Sequence, residues 1–386
     1  MAVQTRCTAP DALSNLVAVL ELIADGQVRY VASTRRPSAA TVTLVEDCLV
    51  GGDYYSYAAG GDDPGEPIAA FAWPLIAQVS GLARLSGGRL ELTSRGMRAL
   101  ASPGYETLAQ VWGRWLRNVS LDEMARIDII KGQRSPGTLT PVTARREVVA
   151  GALRALEPGA WADTDLIWSV LRTERTRLVL ARSLPALWRL HIGDAYHGSL
   201  GHAGAKAWEA VEGRYALCVL FEYIATLGLA DVRYTGAAGA RDDYRFLWGT
   251  DGYSTLSRYD GLLAVRVNEF GAAILHDPDA VRALTLPVPR RILLLLRRAA
   301  MSRPAPHSPR VRSKRIGQRG IAEAASGAGH QPLARSGCHT LGWPYRRDIA
   351  WRMCGTARPD AASGKPGARD RGLPSRLRRH GQRIQP

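Results

Sequence analysis

Three imidazoles and a carboxylate fall within a dozen residues in the stretch LHIGDAYHGSLGHAG: His191, Asp194, His197 and His202. Zinc and iron favour donors of this kind. The spacing argues against a metal. Intervals of five and then four residues between successive histidines are not those of a helical ligand pair, and the neighbouring Gly and Ser belong to a surface loop. A solvated loop is the reading taken, and no metal or other cofactor is assigned. A metal-dependent enzyme at His191, His197 and His202 is kept as a third function class. Ser199 and His202 would make a nucleophile and base only by special geometry. Asp62-Asp63 and Asp242-Asp243 lie in turn-rich segments, where solvated charge is the default. None of the four lysines (Lys131, Lys206, Lys314, Lys365) is followed by Ser or Thr, which excludes a P-loop within this chain. With no hydrolase or dinucleotide fingerprint in a strand–turn–helix setting, the expectation is a protein that is not an enzyme.

Cationic side chains offer a different chemistry. Arg35 and Arg36 stand just ahead of Pro37, Ser38 and Thr41, where a helix is expected to begin. A helix N-terminus beside two arginines can hold a phosphate. Arg84, Arg89, Arg95 and Arg98 surround a Gly87-Gly88 turn. The segments that would correspond to recognition helices look different. IAAFAWPLIAQVS carries no charge, and WEAVEGRYALCVLFEYIATL sets Glu209, Glu212 and Glu222 against Arg214 alone. Neither suits a major groove, which calls for polar and basic side chains at base edges. Contacts from Arg35, Arg36, Ser38, Arg84, Arg89 and Arg95 would go to the backbone of double-stranded DNA, weakly specific and sensitive to salt.

The elements that must position these groups are set by a chain of 386 residues, 46% hydrophobic and 22% charged, enough for two or three domains. The formal charge of +16 is uneven. Residues 301–386 hold 18 Lys and Arg against four acids, a net of +14, which leaves 33 basic and 31 acidic residues, or +2, for positions 1–300. The five cysteines are widely spaced with no C-x-x-C, as expected of reduced cytosolic thiols. No basic-then-apolar leader opens the chain, and the strongest internal apolar run, Ile292 to Leu296, is far short of the roughly 20 residues of a membrane span. A soluble cytoplasmic protein without a membrane partner is expected.

Leu13, Leu16, Val17, Leu20 and Ile23 share one helical face, and Pro37 suits the first turn of a second helix. IAAFAWPLIAQVSGLARL reads as a helix entering a strand, Gly87-Gly88 as a hairpin tip, RLELT as the returning strand, and Ser94 as the start of another helix. This is the winged-helix order. The order recurs in FEYIATLGLADVRY and LLAVRVNEFGAAIL, with Gly81 matching Gly228, Gly96 matching Gly271, and Thr93 matching Asn268 as an N-cap. Trp112 and Trp115, three apart on a helix, are expected in the core. The fold class expected is α+β and mostly helical. Two tandem winged-helix units, 1–118 and 144–278, are joined by a helical connection at 119–143 and followed by an Arg/Pro/Gly-rich tail at 279–386, expected to be disordered. That tail fits either a basic nucleic-acid-binding arm or an out-of-frame translation of GC-rich coding sequence.

The series TRRPSAATV, FAWPL, GGRLELTSRG, RIDIIKGQ, GSLG, LFEYIATLGLADV and LSRYDGLL resembles a group of uncharacterised bacterial helicase-associated proteins. These are similar to proteins carrying the non-catalytic N-terminal domain of XPB-type DNA-repair helicases. The resemblance covers roughly residues 12–276, and the family continues with further folded sequence where this chain turns Arg/Pro/Gly-rich, as a truncated or frameshifted chain would. The resemblance implies a DNA-associated protein beside a helicase, and it transfers no functional residues. The leading expectation is a non-enzymatic module that binds duplex DNA in a nucleic-acid-processing assembly. The alternative is a scaffold whose winged helices bind a partner protein.

Overall fold

Pro10 supplies the fixed φ that opens α1 (Ala9–Ala24), just after the short strand β1 (Gln4–Arg6). Its face of Leu13, Leu16, Val17, Leu20 and Ile23 is buried, and Gly26, at φ +69°, ends it. The computed structural model describes residues 2–55 and 67–283, so the Asp62-Asp63 pair and the tail beyond Ala283 lie outside the described residues. After α1, β2 (Tyr30–Val31) pairs with β3 (Arg36–Pro37), and α2 (Ala39–Cys48) follows. The first turn of α3 (Ala69–Val79) has its donors met from a distance. The Ile68, Ala69 and Ala70 N–H groups all donate to the buried Asp53 carboxylate, at 2.7–3.3 Å. The hairpin β4 (Ala83–Ser86) and β5 (Arg89–Leu92) turns at Gly87 and Gly88, both at positive φ. Two helices come next, α4 (Ser94–Ala101) and α5 (Tyr105–Leu116).

A 3₁₀ turn at Glu123–Arg126 and β6 (Ile130–Lys131) lead to α6 (Val142–Arg154), β7 (Trp161–Asp163), α7 (Thr164–Arg172) and α8 (Leu184–Arg189). β8 (His191–Ile192) pairs with β6. One long helix is then assembled from a π-helical turn (Glu209–Gly213), α9 (Arg214–Cys218) and a second π-helical turn (Val219–Ile224). β9 (Ala230–Tyr234), β10 (Leu262–Val267), α10 (Glu269–His276) and a 3₁₀ turn at Pro278–Ala283 complete the described residues. The last turn buries Val281.

The architecture is α+β, with small antiparallel sheets set among helices. Two segments share a coarse order of helix, strand, helices, antiparallel strand pair and closing helix, with β3 interposed in the first, β8 in the second, and residues 235–261 joining β9 to β10. In the first, β5 is flanked by residues 28–30, with Leu90 N–H donating to Val28 O at 2.9 Å and Tyr30 N–H to Gly88 O at 2.8 Å. In the second, β10 is flanked by β7. The closing corners agree in atomic detail. Thr93 accepts from Gly96 N–H and Asn268 accepts from Gly271 N–H, each as an N-cap. The Thr93 hydroxyl donates to Gly81 O, and the Asn268 amide donates to Gly228 O. A Cβ on Gly96 would lie 2.1 Å from Leu82 O, and one on Gly271 would lie 1.9 Å from Leu229 O. Only glycine fits at either corner.

The two segments share a core. β1 joins β9 at the edge of a sheet ordered β1-β9-β10-β7, and Trp115 of α5 stacks on Tyr223 of the long helix at 5.3 Å. That helix is interior from Ala210 onward. Its charged side chains, Arg214 among them, are met by partners from other elements. Arg126 holds Glu222 at 3.0 Å, and Arg214 holds Asp260 at 3.2 Å and Asp243 at 2.5 Å. Asp243 is therefore an ion-pair partner, and the expectation that it is solvated is corrected. α3 is interior too, which explains its lack of charge. Among the described residues no helix is long and apolar enough to cross a membrane.

Candidate nucleic-acid interface

The sequence singled out two groups of basic residues, and the structure treats them differently. Arg35 occupies the turn between β2 and β3 in a left-handed conformation, φ +53°, with its side chain exposed. Arg36 turns back onto the body, donating to Ala125 O at 2.7 Å and lying 3.9 Å from Asp128. Ser38 caps α2, its Oγ accepting from Thr41 N–H at 3.2 Å and donating to Thr41 Oγ1 at 3.1 Å. Thr41 is buried and bonds both backbone groups of Arg29. Arg35 is the member of this group that faces solvent without an ion pair among the described residues.

The second group lies on and beside the β4–β5 hairpin. Arg84 stands opposite Glu91 in the ladder and pairs with it at 3.2 Å, while Arg89 is exposed at the hairpin tip. Arg95 and Arg98 project from α4 into a groove of about 680 Å³ between α4, α5 and the 3₁₀ turn at residues 281–282. Arg114 of α5 lines the same groove, together with the polar side chains of Ser102, Thr107 and Gln110. Among the described residues no carboxylate pairs with Arg95, Arg98 or Arg114. The one acid on the wall, Glu106, is 3.6 Å from Arg282. Three guanidinium groups on one wet groove can bind phosphate oxygens through paired N–H bonds.

The structure thus brings Arg95 and Arg98 together with Arg114, a residue that sequence reasoning passed over. The signal was available. Gln110, Arg114 and Arg117 recur at helical spacing opposite the buried Trp112 and Trp115, and mark the polar face of α5. Local order came from the caps of α4 and from the glycine corner beneath it, so the helix carrying Arg95 and Arg98 is held firmly against the hairpin.

The histidine loop forms no comparable site. Among the described residues no group of three or more His, Cys, Asp or Glu side chains converges as a metal site would require. His191 Nδ1 faces Arg189 O at 3.1 Å, and His202 Nε2 faces Tyr196 O at 2.9 Å. His197 pairs with Asp194 at 3.1 Å. The backbone N–H groups of His197 and Tyr196 hold the Asp194 carboxyl below the usual carboxylate range. Ser199 donates to Trp188 O rather than to His202. Comparison of the chain with protein-family models, curated proteins and solved structures finds no match.

Proposed function

We propose that this chain is a non-enzymatic, DNA-associated protein of two winged-helix units that contacts the backbone of double-stranded DNA and acts beside a helicase or within a larger nucleic-acid-processing assembly. The observation that carries the reading is the groove where Arg95, Arg98 and Arg114 converge without carboxylate partners among the described residues. The repeated coarse order of helix, strand, helices and strand pair, with its matched Thr93 and Asn268 corners, supports the winged-helix description. The sequence resemblance to helicase-associated proteins supports the setting. Both helices that would act as recognition helices in such units are interior, which favours contacts from hairpin and α4 arginines over base reading. Burial of those helices also withdraws the surface on which a partner-binding scaffold would rely.

The test is duplex binding by the full chain titrated across salt. Replacing Arg95, Arg98 and Arg114 together by Ala is expected to lower affinity alike for unrelated sequences. The dependence of log K on log salt should flatten by about 0.9 for each phosphate that the variant no longer neutralises. Unchanged affinity and slope in the triple variant, with an unchanged thermal melt, would remove the groove from the proposed interface.

A further inference from the structure

Among the described residues the exposed large aromatic side chains all fall in two stretches: Trp188 and Tyr196 in one, Phe246, Trp248 and Tyr253 in the other. Tyr196 is 73% exposed and Trp248 53%. The two stretches meet through rings. His197 stacks on Trp248 with centroids 5.4 Å apart and planes at 28°, and Tyr196 stands edge-on to His197 at 5.1 Å and to His202 at 6.1 Å. His202 in turn meets Trp188 edge-on at 4.7 Å. Trp188 is fixed from below, since a Cβ on Gly201 would lie 2.2 Å from its ring. A monomeric surface rarely leaves this much aromatic area in one connected patch without using it.

The charge around the rings selects the occupant. Across the two stretches that carry the rings, residues 177–206 and 241–258, the cations are Arg177, Arg182, Arg189, Lys206, Arg241, Arg245 and Arg258 and the acids are Asp194, Asp242, Asp243 and Asp251, a net of +3 with histidines neutral. The Asp194 carboxylate is already engaged by its own backbone and by His197. That net positive balance favours an anionic ligand over a methylated or quaternary cation. Flat rings at right angles, wet edges and surrounding cations suit unpaired nucleobases on a phosphate backbone.

We propose that Trp188, Tyr196, His197, His202 and Trp248 form a stacking platform for single-stranded nucleic acid. This surface is separate from the arginine groove and does not rest on it. Stacking on exposed rings tolerates any base, because every base presents a π-face, so the platform binds unpaired strands with little sequence preference. A protein that holds duplex backbone at one place and unpaired bases at another would mark a junction between paired and unpaired strands.

The experiment uses the full chain, labelled oligothymidylate and an abasic strand of equal length. Both strands carry the same phosphates, so basic residues elsewhere contribute equally to each. The wild-type chain is expected to prefer oligothymidylate roughly tenfold or more. Replacing Tyr196 and Trp248 together by Ala should erase that preference and leave abasic binding unchanged, whereas Tyr196→Phe should retain it. Replacing Arg95, Arg98 and Arg114 by Ala should weaken duplex binding while the base-dependent preference persists, which separates failure of the groove from failure of the platform. Equal binding of both strands by the wild-type chain would overturn the proposal. So would a preference that survives removal of the rings in a variant with an unchanged near-ultraviolet circular dichroism spectrum. A third result against it would be a variant that no longer self-associates, seen by sedimentation, with the preference intact. The patch would then be a contact between copies.

Discussion

Glu212 shows how a single buried acid ties the fold to pH. Its Oε1 accepts from Leu180 N–H at 2.9 Å, and burial pushes its carboxyl up to about 7. In the unfolded chain a glutamate titrates near its ordinary value, about 4.3. Between these pH values the folded protein keeps a proton that the unfolded chain has lost. Stability from this group is therefore full in acid and declines as pH rises toward 7, by on the order of 3 kcal/mol across the window. Glu212→Gln keeps an oxygen acceptor for Leu180 and removes the titration. Urea unfolding at pH 8 should find the variant more stable than wild type by about 1–3 kcal/mol, with the gap narrowing toward pH 5. A variant less stable at both pH values would show that the carboxylate itself is needed. Glu222 has a cation where Glu212 has none: Arg126 matches it at 3.0 Å, although burial still raises its carboxyl. Arg126→Met should cost about 3–5 kcal/mol, read from the same unfolding curves, by leaving that carboxylate buried without its cation. None of this was legible in the sequence. Glu209, Glu212 and Glu222 looked like charge on a presented helix because their partners, Arg172, Leu180 and Arg126, stand 32 to 96 residues away.

At the scale of elements the sequence was far more informative, because caps and glycine corners are local. Thr93 with Gly96 and Asn268 with Gly271 were visible as matched pairs, and each pair closes its helix as that spacing requires. What spacing could not convey is how tight the corner is. A methyl group at Gly96 or Gly271 would sit about 2 Å from a backbone carbonyl oxygen, so neither site can accept it without moving a strand. Gly96→Ala and Gly271→Ala should each destabilise by about 2–4 kcal/mol in denaturant titrations. Thr93→Ala should cost only about 1 kcal/mol, since water can replace a missing cap. Similar costs in all three would mean that the carbonyl contact is not what makes the glycine necessary. The hairpin arginines were legible too, but the groove was not, since Arg114 joins Arg95 and Arg98 only once α5 folds back beside α4.

At the scale of the molecule, the sequence suggested two units in succession, and packing joins them. Trp115 stacks on Tyr223, Arg146 reaches Glu123 at 2.6 Å, and β1 completes a sheet whose other strands come from beyond residue 160. A fragment of residues 1–118 lacks the partners of β1 and Trp115. Expressed alone it should show no cooperative thermal transition, whereas circular dichroism and tryptophan fluorescence should report a single coincident transition in the full chain. Two separate transitions would instead establish independent units. The uneven charge was legible in the sequence at this scale. Of the +16, positions 1–300 carry only +2, so attraction of the described residues to a polyanion depends on where a few arginines stand.

The pairing of β1 with β9 also sets an order of events on the ribosome. Thr8 N–H donates to Asp231, 223 residues further on, so β1 waits until β9 has been translated. At about 5–20 residues per second that wait is roughly 10–45 s. Throughout it, the Ala9 and Ala12 end of α1 lacks Gly228 and β1 has no strand to join. The unpaired edge of β1 is thus a place where a nascent-chain chaperone has something to shield. An obstruction near Gln4, such as a bulky fusion, would strike at the final step of assembly rather than the first.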